Sequence, residues 1–81
     1  MYSFFAVSGK TAVSGGMSIC HRWAESYIRK NRGARVLIAK ARAGEQKAVV
    51  IFEYSIEGPV GLIGLETLDT RKLVAYVKES D

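Results

Sequence analysis

Cysteine occurs once among the 81 residues of this chain, as Cys20, and proline once, as Pro59. A single thiol excludes an intrachain disulfide and any zinc site built from the thiolates of one chain, and it fits a reducing, cytoplasmic setting. Long apolar runs are missing too. The longest uncharged stretch, Thr11 to Cys20, is broken by Gly15 and Gly16 and falls far short of the ~20 apolar residues that span a bilayer, so no membrane partner is expected. No Lys or Arg precedes the apolar start Tyr2 to Val7, which argues against a secretory leader and places that start within the fold. Acidic residues are the scarcer charge: eight Asp and Glu stand against twelve Lys and Arg, for a net +4. A basic balance of this size permits an acidic partner without establishing one. What remains is a globular composition, 48% hydrophobic and 25% charged. At this length it predicts one domain, 1–81, with one core.

Period and punctuation predict the order strand, helix, strand, strand, short strand, helix. Tyr2 to Val7 is aromatic-rich and stops at Ser8-Gly9, a strand entering a turn. Thr11 to Gly16 is small and polar and reads as a loop or short edge extension. From Met17 to Asn31 the period becomes helical, with Met17, Cys20, Ala24, Tyr27 and Ile28 on one face and Trp23 beside them. Ser14 or Ser18 is the expected cap, and Gly33 the expected terminator. Val36 to Ala41 and Ala48 to Tyr54 predict a hairpin. Val60 to Leu65 predicts a short strand. Leu68 to Ser80 reads two ways, helical through Leu73, Val74 and Val77 after Asp69, or strand-like through Leu73, Ala75 and Val77, and its length and Lys, Glu and Ala content favour the helix. The fold class is α+β: a small antiparallel-rich sheet of three or four strands with an amphipathic helix on one face.

Alternation along the hairpin places Ala48, Val50 and Phe52 on one sheet face and Lys47, Val49, Ile51 and Glu53 on the other. In the strand before, Leu37, Ala39 and Ala41 oppose Val36, Ile38, Lys40 and Arg42. Both faces are apolar at their centres. One helix covers only one face, so the other needs the C-terminal segment, a second copy in a homodimer, or a docked partner.

Motifs for chemistry are weak. Gly9-Lys10-Thr11 after a strand matches the end of a phosphate-binding loop, whose N–H groups cradle phosphate, but Phe4 stands where that pattern needs glycine. Cys20 and His21 are adjacent on a helix, so their side chains diverge by ~100° and do not form a nucleophile and base. His21 has only Glu25 on its helical side, too little for a metal. Glu53, Glu57, Glu66 and Asp69 cluster in sequence, and nothing in their spacing singles out an acid and base pair. Neither an enzyme nor a cofactor is expected.

Charge is the asymmetric feature. Between His21 and Lys47, eight cations (Arg22, Arg29, Lys30, Arg32, Arg35, Lys40, Arg42 and Lys47) oppose only Glu25 and Glu45. Each has a local explanation: Arg29 follows Glu25 by one helical turn, Lys30 and Arg32 suit a helix C-terminus, and Lys40, Arg42 and Lys47 guard a hairpin against edge pairing. Their grouping points to a surface that tracks phosphates. Helix-turn-helix, zinc-finger and strand-borne stacking signatures are missing, so backbone contact without base readout is expected.

Val7-Ser8-Gly9-Lys10, a helix, and Val36-Leu37-Ile38-Ala39-Lys40-Ala41-Arg42-Ala43-Gly44 are similar to the first half of Alba-type chromatin proteins. That resemblance implies Lys10 and Arg42 as DNA contacts. It covers half the chain and meets β-prone Ala48 to Tyr54 where that family has a second helix, so no family is assigned from it. The leading expectation is a non-enzymatic basic protein that contacts nucleic-acid phosphates through Lys10 and the eight central cations. The alternative is an inhibitor or adaptor, of the kind phages and mobile elements encode, that docks an acidic protein surface through Val36, Ile38, Val49 and Ile51 inside a charged rim.

Overall fold

A computed structural model describes residues 1–62 and 66–80. Strand β1 (Tyr2–Ser8) turns through Gly9-Lys10 into β2 (Thr11–Gly15), and the chain continues through helix α1 (Met17–Lys30), β3 (Val36–Arg42), β4 (Lys47–Ser55), β5 (Gly58–Gly61), β6 (Thr67–Asp69) and helix α2 (Thr70–Ser80). The fold is α+β with an antiparallel sheet and two helices. Its sheet is larger than the three or four strands expected, in the order β2-β1-β3-β4-β5 with β6 also on β4. Positions 63–65 of the expected fourth strand lie outside the described residues.

Small side chains hid β2. Its Ala12 is buried on one face while Val13 packs on the other, so a weakly β-prone run is recruited by its neighbours on both sides. The hairpin into it carries Gly9 at φ 60° with no positive φ at Lys10, the type II′ pattern. Gly9-Lys10 is therefore a turn, and the phosphate-loop likeness ends there. Helix α1 starts at Gly16 without a side-chain cap, contrary to the serine expectation. It ends at Asn31, not Gly33: the backbone N–H and Nδ2 of Asn31 both donate to Tyr27 O, at 2.9 and 3.0 Å.

The two helices cover opposite faces. On one, Cys20, Ala24 and Ile28 of α1 bury against Ala6, Val36, Ile38 and Tyr54. On the other, Leu73 of α2 joins Phe5, Val7, Ala12, Ala39, Ala41, Ala48 and Val50, with Tyr76 and Val77 alongside. The C-terminal segment is the cover the second face required. Its last turn also reaches the sheet edge, where Ala12 N–H donates to Ser80 Oγ at 3.2 Å.

One expectation about side-chain direction fails within β4. Ile38 pairs with Phe52 but Ala39 pairs with Val50, leaving Ile51 as the extra residue of a β-bulge. Parity reverses across it: Ala48 and Val50 face α2, whereas Phe52 and Tyr54 face α1. The bulge falls where β4 changes its outer neighbour, from β6 along Lys47–Val49 to β5 along Phe52–Ser55. Ala48 to Tyr54 thus belongs to a strand, where the Alba-type pattern calls for a helix.

Candidate functional site

The direction of β3 decides what the basic cluster becomes. Its first residues pair with the end of β1, Val7 opposite Leu37, and its last pair with the start of β1, Tyr2 opposite Arg42. Seven residues of strand extend ~20 Å, so cations close in sequence are carried to opposite ends of the sheet. Lys10 at the β1–β2 turn, Lys30 at the end of α1, Arg32 after it, and Arg35 before β3 occupy one end. Lys40, Arg42 and Lys47 occupy the other.

The first group is dispersed. Arg35 faces the α2 side at a cavity of about 420 Å³ beside Leu37 and Tyr76, where its Nη2 donates to Glu53 Oε1 at 2.6 Å. Arg22 and Arg29 are exposed on the outer surface of α1, with Arg29 Nη2 3.8 Å from Glu25 Oε2. The nine cations expected to act together do not share one face.

The second group meets aromatic side chains. Tyr2 lies opposite Arg42 and Phe4 opposite Lys40, and directly paired residues share a face. Lys40 Nζ stands 5.1 Å and Arg42 Cζ 5.5 Å from the centroid of the Tyr2 ring. Arg42 Nε donates to Tyr2 Oη at 3.1 Å, fixing the guanidinium against the phenol. Across β3, Lys40 pairs with the half-buried Val49, and Lys47 follows two residues away on the same side. The N-terminus is tied in as well, since Ala43 N–H donates to Met1 O at 3.4 Å.

This corner lies on the α1 side but beyond α1, which buries its apolar residues at the level of Ala6, Ile38 and Tyr54. Tyr2, Arg42 and Lys47 are exposed there, and Lys40 is half-buried. Carboxylates oppose it weakly: Glu45 Oε1 is 4.0 Å from Arg42 Nε, and Asp69, across from Lys47, accepts instead from Arg71 N–H at 2.9 Å. An open sheet corner with three cations and an exposed ring can bind phosphates and stack a planar group.

The expected protein-docking face is not open. Val36 and Ile38 are fully buried under α1, and Val49 and Ile51 are half-buried. Cys20 is likewise enclosed, and burial pushes its thiol pKa up. His21 turns the other way, hydrogen-bonding through Nδ1 with Tyr54 Oη and meeting Phe52 edge-on at 5.1 Å. Cys20 and His21 do not act together. Among the described residues no group of three or more His, Cys, Asp or Glu forms a metal cluster, and no helix is long and apolar enough to cross a membrane.

Sequence reading missed Tyr2 as a site residue. The available signal was its parity with Phe4, but only the β1–β3 register brings both beside Lys40 and Arg42. No protein family, curated protein or solved structure matches the chain.

Proposed function

We propose that this chain is a non-enzymatic nucleic-acid-binding protein that holds phosphates at the corner formed by Lys40, Arg42 and Lys47. The observation that carries this reading is the pair of cations gathered on the exposed Tyr2 ring from a neighbouring strand. A salt-bridging role does not account for them, because Glu45 at 4.0 Å from Arg42 is their single ion-pair partner among the described residues. The other six of the nine expected cations contribute a diffuse field and no contact surface.

Three phosphate contacts give a shallow salt dependence: log K falls against log salt with a slope of about −2 to −3. Fluorescence anisotropy of labelled oligonucleotides at several salt concentrations measures it. Lys40→Glu with Arg42→Glu abolishes binding at low salt, whereas Lys10→Glu with Arg32→Glu, at the far end, weakens it slightly. Absence of binding at low salt, or equal losses from the two double variants, overturns the proposal.

A further inference from the structure

We infer that the corner selects single-stranded nucleic acid by stacking an unpaired base on Tyr2, an inference that rests on the phosphate-binding reading above. Tyr2 is 45% exposed although it lies in a strand whose Phe5, Ala6 and Val7 are buried. Its ring is held in place by the Arg42 hydrogen bond to Oη and by the strand pairing on β3. A ring that is exposed yet already oriented loses little conformational freedom when a flat partner settles on it.

Geometry sets the class of partner. Neighbouring strands are ~4.8 Å apart, so Tyr2 on β1 and the cations on β3 and β4 fall within ~10 Å of one another. A base on Tyr2 therefore leaves its flanking phosphates within reach of Lys40, Arg42 and Lys47. In a duplex the base faces are covered by their neighbours, and the same corner meets phosphates alone. Stacking is indifferent to base identity, because every base has a flat π-face.

The test compares labelled oligo-thymidine, an abasic strand of equal length, and an oligo-thymidine·oligo-adenine duplex, each bound to the full chain and to two variants. Oligo-thymidine binds the unaltered protein about 5- to 150-fold more tightly than the abasic strand. Tyr2→Ala removes that advantage, so that thymine and abasic strands bind it alike, while Tyr2→Phe, which loses only the hydroxyl that accepts from Arg42, retains most of it. Unchanged thermal melting of both variants separates lost stacking from lost folding. Equal binding of abasic and thymine strands, or a uniform loss on all three ligands in Tyr2→Ala, overturns the inference and leaves phosphate binding standing. Failure of all three to bind at low salt removes the reading beneath it.

Discussion

Cys20 shows how placement decides chemistry at the scale of a residue. Its side chain has no exposed surface, and burial raises the thiol pKa, so the reactive thiolate is both scarce and shielded at neutral pH. Modification by a disulfide reagent should be slow in the native protein and should accelerate with denaturant to the rate of an unfolded thiol. Native Cys20 reacting at the rate of a free thiol would show that α1 does not close over it. Thr70 presents the opposite case: its Oγ1 is buried without a hydrogen-bond partner among the described residues. Stranding a hydroxyl costs about 1–3 kcal/mol, so Thr70→Val, which keeps the branched shape, should raise the urea midpoint of unfolding. A lower midpoint would mean that the hydroxyl is satisfied in solution. Tyr2 and Arg42, 40 residues apart in sequence, are the residue pair that no local pattern reveals, because their contact exists only through strand register.

The elements divide by the kind of signal that specifies them. Helix α1 was legible because Cys20, Ala24 and Ile28 recur at one face of a helical period. Helix α2 was legible only in part: Leu73, Val74 and Val77 have helical spacing, but Leu73, Ala75 and Val77 also alternate like a strand, and Leu68 and Asp69, read into the helix, belong to β6. Strand β2 was not, since Thr11 to Gly15 forms by pairing with β1 and by contact with α2 rather than through its own propensity. The bulge at Ile51 was invisible for a related reason: it accommodates two different neighbours of β4, which lie downstream in the chain. Asp69 makes the entry to α2 testable. The hydrogen bond from Arg71 N–H, aided by the charges of Arg71 and Lys72, holds its carboxyl below the usual range. A carboxyl depressed in the folded state contributes stability above its unfolded pKa and loses it as pH falls through the folded value. Asp69→Ala should therefore be less stable than the parent at neutral pH, and the gap should shrink in acid, as pH falls below the unfolded carboxylate value of about 3.9 and through the lower folded one. Urea unfolding of both proteins at neutral and at acid pH measures it, and a gap independent of pH would count against the charged cap.

At the scale of the whole molecule, one sheet serves two cores. Phe5 and Ala6 are neighbours in β1, yet one belongs to the α2 side and the other to the α1 side. Ile38 and Ala39 divide in the same way on β3. Neither face has a backbone of its own, so loosening one helix must weaken the strands that support the other. Leu73, 2% exposed, is the main apolar anchor of α2, whereas Trp23 lies on α1 across the sheet and stacks on Tyr27 at 4.9 Å. Leu73→Ala should destabilise the protein by about 2–5 kcal/mol. For a domain of this size that lowers the melting temperature by more than about 8 °C. The decisive reading is the Trp23 fluorescence transition: it should shift by the same amount as the far-ultraviolet circular dichroism, because a single cooperative unit gives coincident transitions. A Trp23 transition that stays at its original temperature while dichroism develops an early phase would mean that α2 detaches by itself. In that event the sheet and α1 would be the stable unit, and the corner around Tyr2, Lys40 and Arg42 would persist without its C-terminal cover.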